Sequence, residues 1–426
     1  MKKKICLFCI AVSMYGYSNK NQMVEFFVFG KYPVIDIVNS AGKYQRIYCS
    51  DLFSSMEFIA LETSDNCLVV VDPRNSRNSI LFNNNLFFMK GNKNLYAFDL
   101  TGKFLNPIGQ VGQGPEDYLY FGDFFLNTDG PTIFVSGGGG RILEYDYNGK
   151  YIHSIPLPEI EGIPLSRCSY VGNDLFFGQI TNKTGKLKNK YCLFDRNGNI
   201  KKYFPNHVFF NRIGFFYTSF DYALRPMQID DRFYTKDYYN DTIYKITGEM
   251  LEPEFVFGLG KYTFSKEDLE VPEASLQVFS KAFMLNFILG TPDYFFYNIS
   301  VPDRFSRPKV KPTYSPELKQ LVEYDRFVYG FYDITAKTNI LLNTDTHLQK
   351  GIINDINGGL SFFPSYYAGD GLVIDVWQAD DMLEMLTDEY FASLKIKDQQ
   401  AHQKLKELLK NLQDDDNPVI VIAKLK

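Results

Sequence analysis

The sequence is poor in the residues that usually announce chemistry. Its four histidines, His153, His207, His347 and His402, are scattered. No H-x-H or H-E-x-x-H pair occurs among them, which excludes the local zinc motifs. Gly109, Gly112 and Gly114 give G-x-x-G-x-G, but no Gly-Lys-Ser/Thr follows and no helix pattern begins, so a Walker A loop is excluded. No G-x-S-x-G elbow appears, and "FPSYYAG" around Ser365 does not resemble one. Formal charge is -5 with no basic stripe, which argues against nucleic acid as a partner. No stretch beyond the N-terminus is long and apolar enough to span a membrane. Cysteines number six. Cys6 and Cys9 sit in the leader-like start, without the βαβ context of a redox motif. Cys49, Cys67, Cys168 and Cys192 lie in apolar, strand-like runs and read as small core residues. One disulfide is compatible with export, and the spacing does not choose a pair.

Aromatic residues, by contrast, are abundant. Thirty-nine Phe and 30 Tyr stand beside one Trp, a bias toward pleated, half-buried surfaces rather than helices. The first residues, Met1-Lys2-Lys3-Lys4 followed by "ICLFCIAVSMYGYS", have the basic start, apolar run and polar end of a signal peptide over residues 1–18. Only Ile5 to Phe8 separate the lysines from Cys9, which is too short for an ordinary lipobox and argues against a lipid anchor.

A repeat organises the rest. "LYAFDLTGKFL", "ILEYDYNGKYI" and "YCLFDRNGNIKKYF" share an apolar strand, Asp-x-x-Gly and a second strand. "TIYKITGEMLEPEF" keeps the glycine with Lys245 in the Asp place. The glycines are Gly102, Gly149, Gly198 and Gly248, spaced by 47, 49 and 50 residues. A degenerate copy, "FVYGFYDITAKTNI", has Ala336 instead. The Asp caps its own turn and the glycine takes a left-handed conformation, closing a bulged hairpin. Four short strands per unit at this period predict an all-β fold, a six-bladed β-propeller over residues 19–426. The blades are expected at about Phe58–Gly109, then to Pro158, Pro205, Gly258 and Leu342. The last contains "GLVIDVW" and the terminal "NPVIVIAKLK". Ring closure should pair that last strand with "PVIDIV" or "EFIALE". Helical insertions are expected at about 262–289, capped by Ser265, and at 399–413, where Leu405, Leu408, Leu409 and Leu412 share one face.

"GKFLNPIGQVGQGPEDY", "FIALETSDN", "NDTIYKI" and "DDDNPVIVIAKLK" resemble the six-bladed β-propeller proteins of the Bacteroidota. That resemblance covers about Phe58 to Lys426. It implies NHL-like repeats, export to the periplasm or cell envelope, and no assigned activity.

In a propeller, the inter-blade connections and the loops between second and third strands share one end of the sheets. This places Lys93, Glu116, Tyr118, Arg141, Asp237 and Tyr239 on the expected ligand face. Arg141 follows four glycines and offers a guanidinium beside backbone N–H groups. The tyrosines offer stacking surfaces. The sequence therefore reads as a binding module for a small molecule, glycan or envelope protein, with no cofactor. The alternative is a calcium-assisted hydrolase or lyase using dispersed carboxylates such as Glu116, Asp117, Asp123 and Asp237. Converging carboxylates over the channel would favour the enzyme, and an aromatic face would favour binding.

Overall fold

The computed structural model describes residues 32–71, 79–91, 94–182, 184–211, 224, 226–237, 240–263, 265, 268, 270, 280–315, 320–343 and 351–426, and for 307–325 the backbone alone. The segment read as a signal peptide, and with it Lys93 and Tyr239, lies outside these residues.

The chain enters as β1 (Val34–Asp36), helix α1 (Ile37–Ser40), β2 (Tyr44–Gln45), helix α2 (Cys49–Leu52) and β3 (Phe53–Ala60). Blade 1 follows as β4 (Ile80–Asn83), β5 (Leu86–Lys90), β6 (Leu95–Asp99) and β7 (Phe104–Ile108). Blade 2 is β8 (Asp123–Leu126), β9 (Thr132–Ser136), β10 (Arg141–Asp146) and β11 (Tyr151–Pro156). A two-stranded ribbon, β12 (Glu159–Ile160) and β13 (Ile163–Pro164), leads to blade 3. That blade is β14 (Arg167–Tyr170), β15 (Leu175–Gln179), β16 (Asn189–Asp195) and β17 (Ile200–Pro205). Blade 4 is β18 (Met227–Ile229), β19 (Arg232–Lys236), β20 (Thr242–Thr247) and β21 (Met250–Gly258).

Blade 5 begins with β22 (Met284–Gly290) and β23 (Tyr294–Ser300). A separate hairpin, β24 (Arg307–Ser315) and β25 (Gln320–Asp325), interrupts it before β26 (Phe327–Asp333) and β27 (Thr338–Leu342). Blade 6 holds β28 (Tyr366–Gly369) and β29 (Leu372–Trp377). Three helices intervene, α3 (Ala379–Met385), α4 (Asp388–Ala392) and α5 (Gln399–Asn411), before the last strand, β30 (Val419–Leu425).

Strand pairing closes the ring. β30 is sandwiched antiparallel between β29 and β3, with Ile59 opposite Ile420. "EFIALE" is thus the closing segment, and blade 1 begins at Ile80 rather than near Phe58. "PVIDIV" adds instead as a parallel fifth strand on blade 4, and β2 does the same on blade 5. The N-terminal segment therefore runs around the outside of blades 4 and 5 before entering blade 6. Apolar alternation suited either segment to closure; only long-range register chooses.

The Asp-x-x-Gly hairpins form as their chemistry dictates. The Asp146 carboxylate accepts from the backbone N–H groups of Asn148 and Lys150, both at 2.9 Å. A register shift falls between Glu144 and Tyr145, and equivalent shifts occur in blades 1, 3 and 4. Gly149 sits at φ +82°, and a Cβ there would stand 2.2 Å from the Pro107 carbonyl oxygen of blade 1. Gly102 and Gly198 meet the preceding blade's outer strand in the same way, at the carbonyls of Ala60 and Pro156. The repeated glycine thus serves both its own turn and the seam between blades.

Apolar side chains form a cluster at each of the six seams. Among the described residues that between blades 3 and 4 is the smallest, and buried charge accompanies it. The Lys190 ammonium meets the Asp237 carboxylate at 2.6 Å. The fully buried Lys236 donates to the carbonyls of Asp237 and Asn240, and burial lowers its pKa.

The insertion expected over 262–289 is corrected at its end. Met284–Gly290 is β22, because this run supplies the inner edge of blade 5 against β23. Ser265 and Asp268 do cap each other reciprocally. The leucines of α5 turn toward the cluster between blades 5 and 6, where Leu405 is buried. All four described cysteines are buried.

Candidate functional site

Each blade contributes its first strand to the centre of the ring. β4, β8, β14, β18, β22 and β28 surround a cavity of about 1030 Å³. Its wall is strongly aromatic: Phe82, Phe125, Phe233, Phe287, Phe363 and Tyr329 all border it, as does Trp377, the single tryptophan. Strand alternation explains part of this, since a first strand turns every second side chain toward the axis. The register shift between Leu285 and Phe287 places Asn286 at the cavity, because a bulge re-aims the residue it carries.

Hydrogen bonds between blades tie the wall together near the turns between first and second strands. The Tyr367 hydroxyl of blade 6 donates to the Asp230 carboxylate of blade 4 at 2.9 Å. The Tyr366 hydroxyl donates to the Phe82 carbonyl of blade 1 at 3.4 Å. Burial pushes both phenols up to about 12, with Asp230 adding to the effect on Tyr367. Both therefore remain protonated donors at neutral pH. At the opposite end of the strands stand Arg167, Asp375, Gln378 and, on α3, Asp381. All the helices and hairpins inserted between blades or between second and third strands lie at this end by topology.

The residues singled out from the sequence are placed elsewhere. Tyr118 is 1% exposed; its hydroxyl donates to the Ile108 carbonyl and its ring meets Tyr145 edge-on. The Glu116 carboxylate is exposed, while its backbone carbonyl accepts from the Tyr145 hydroxyl at 2.6 Å. The Arg141 guanidinium donates to the carbonyls of Gly114 and Asp117 at 3.3 and 3.2 Å. Glu116, Tyr118 and Arg141 thus come together in fixing the loop between blades 1 and 2. Asp237 is held by Lys190 at the seam of blades 3 and 4. None of these four borders the described cavity. The sequence reading looked to loops, whereas the cavity wall comes mainly from the first strand of each blade. The usable signal was positional: polar residues such as Gln228 and Asn286 interrupting otherwise apolar first strands. Among the described residues, no group of three His, Cys, Asp or Glu side chains is placed to hold a metal ion.

A ring of six four-stranded blades around such a cavity defines the chain as a six-bladed β-propeller. It belongs to the family described as a domain of unknown function, DUF4934, whose model matches residues 32–424. No curated protein matches the sequence. In structure it is similar to a protein of Bacteroides fragilis described as a "putative exported protein", with a TM-score of 0.65 at 17% identity, over 92% of this chain and 99% of that one. A member of the DUF4221 family from Bacteroides vulgatus aligns over 88% of this chain and 97% of its own, with a TM-score of 0.48 and 12% identity. Among the described residues no helix is long and apolar enough to cross a membrane.

Proposed function

We propose that this propeller is an exported binding module that takes a small ligand in its central channel. The observation that carries the reading is the channel itself: about 1030 Å³, bordered by aromatic side chains and by polar groups interspersed among them. Ligand sites are concave, largely apolar and polar at a few chosen points, and usually span a few hundred to about 1000 Å³. Export is supported by the basic and apolar pattern of residues 1–18, and the structurally similar Bacteroides fragilis protein is described as a "putative exported protein". The aromatic wall favours binding over the calcium-assisted hydrolase or lyase.

The test is a thermal-shift screen of the mature chain with glycans, small aromatic molecules, amines, calcium and EDTA, followed by calorimetry on any hit. A ligand selective for the native state raises the melting temperature. Binding abolished by Asn286→Trp, which fills the channel, supports the reading. A calcium shift reversed by EDTA, with turnover of a sugar or lactone, replaces it with the enzyme. Cell fractionation with N-terminal sequencing checks export, expected as a mature chain beginning near Asn19.

A further inference from the structure

The charged groups on the described channel wall are already committed to the chain. The Asp230 carboxylate holds the Tyr367 hydroxyl, and Asp375 Oδ2 accepts from the Phe363 N–H at 3.5 Å. Arg167 and Asp381 also have partners within the chain. A charged ligand would have to break one of these contacts or lie unpaired between low-dielectric walls, and either is costly.

Polar atoms without a partner in the chain remain, and they are of both kinds. Trp377 Nε1 is a donor, and the hydroxyls of Ser169 and Ser361 donate and accept. None of these three has a hydrogen-bond partner among the described residues. Trp377 and Ser361 are only 5% and 6% exposed. Yet among the described residues the fully enclosed, unpartnered side-chain atoms belong to Thr235, Asn354 and Asn357 alone. The indole N–H and the Ser361 hydroxyl therefore reach open space, and the space they border is the channel. The amides add acceptors. Gln228 Nε2 donates to the Asp230 carbonyl at 2.8 Å, and Gln378 Nε2 to the Val71 carbonyl at 2.9 Å. Asn286 Nδ2 donates to Asn298 Oδ1 and Ser300 Oγ at 3.0 and 2.9 Å. The side-chain oxygens of these three are left for a donor.

The two kinds of surface are unevenly placed. The open polar atoms stand on blades 3 to 6 and on the segment entering blade 6. Blades 1 and 2 present Leu81, Phe82, Phe124, Phe125 and Leu126, with Phe82 and Phe125 half-buried. The Asn83 side chain beside them is spent, donating to the Tyr147 hydroxyl and accepting from the Asn84 N–H, both at 2.8 Å. In a ring of six, blades 1 and 2 lie across from blades 4 and 5. The channel thus has an apolar side opposite one that both donates and accepts.

Resting on the channel-binding reading above, we infer that the channel takes a neutral sugar, with a C–H face on the rings of blades 1 and 2 and its hydroxyls on the open polar atoms of blades 3 to 6. A hydroxyl donates once and accepts twice, so it answers both kinds of group. A purely apolar ligand would leave the indole N–H and the amide oxygens unpaired.

The test is calorimetry on the full mature chain with cellobiose, maltose, lactose, mannobiose, xylobiose and chitobiose. The cationic dimer of glucosamine, a uronate-containing disaccharide and indole are run beside them. The expected result is that a neutral disaccharide binds about tenfold more tightly, or better, than either charged sugar and than indole. Gln228→Met and Ser361→Ala each remove an open polar group with little change of shape. Each should weaken binding about threefold to tenfold, the share of one hydrogen bond. Asn286→Trp, which fills the channel, should abolish it. Gln228→Phe replaces Asn286→Trp if that variant does not fold by circular dichroism. If a charged sugar or indole binds as well as the neutral sugars and is lost in the channel-filling variant, the channel reading stands and the sugar inference falls. The sugar inference falls also if Gln228→Met and Ser361→Ala both bind unchanged. If no probe binds, or binding survives the channel-filling variant, both readings fall.

Discussion

Asn417 is the residue whose loss should cost the ring most for the fewest atoms. It stands just before β30, and the following Pro418 restricts it to an extended backbone. Its side chain is almost fully buried and ties down the connection from blade 6 to blade 1. Oδ1 accepts from the Val69 N–H at 2.8 Å, and Nδ2 donates to the carbonyls of Glu62 and Cys67 at 2.6 and 2.9 Å. In Asn417→Ala all three bonds vanish while the backbone partners stay where they are. Glu62 would keep only the weak Cys67 thiol donor, and the other two groups would be left without a partner. At about 1 kcal/mol for each of the part-buried bonds to Val69 and Glu62, and about 1–2 kcal/mol for the buried bond to Cys67, the expected loss is about 3–4 kcal/mol. Urea unfolding, read as a shift in midpoint at constant slope, measures it. Asn417→Asp keeps the Val69 acceptor but sets a carboxylate against two carbonyls, so at neutral pH it should be at least as damaging as alanine. A loss below about 1 kcal/mol for both variants would refute the reasoning, since water would then be satisfying the freed groups.

Three further outcomes follow from the same structure. Gly248→Ala should cost about 1 kcal/mol, the price of a left-handed alanine in open space, whereas Gly149→Ala should cost clearly more because its Cβ collides with Pro107 of blade 1; comparative urea melts decide. Burial raises the Asp241 carboxyl to about 6, against the pull of Lys236, so the folded state binds its proton more tightly than the unfolded chain. Stability from this group should therefore fall as pH rises from about 4 to about 6, and melting curves of Asp241→Asn should lack that slope. Cys49, Cys67, Cys168 and Cys192 should resist a thiol reagent in the native state and react together on unfolding; rapid labelling of any one in native buffer would contradict its burial.

Much of the fold was legible because its cause is local. The Asp-x-x-Gly turn needs only its own residues, and those recur at a period that one blade occupies. The glycines were legible as turn formers, but not as contacts with the blade before. That second role depends on how the outer end of one sheet meets the hairpin of the next. The Leu405 face predicted a helix from spacing alone, and α5 spans Gln399–Asn411. The stretch 284–290 misled because the helix-start signal at Ser265 had no visible stop before it. There, pairing with β23 overrides local preference.

The candidate site was the least legible part. Arg141 looked like an anion-binding group because it follows four glycines, yet its partners are two carbonyls 24 and 27 residues earlier in the chain. The residues that do border the channel, such as Gln228, Asn286 and Trp377, carry no mutual spacing. They converge only when six sheets are arranged around one axis.

The sequence by itself determined the strand content, the blade repeat and the presence of a C-terminal helix and strand, since each depends on side chains within a few residues of one another. Tertiary structure decided which N-terminal segment closes the ring, which side of each first strand faces the channel, and whether a polar group is spent on the chain or left for a ligand. Those outcomes are set by register and proximity between residues hundreds of positions apart, as when Ile59 comes to face Ile420.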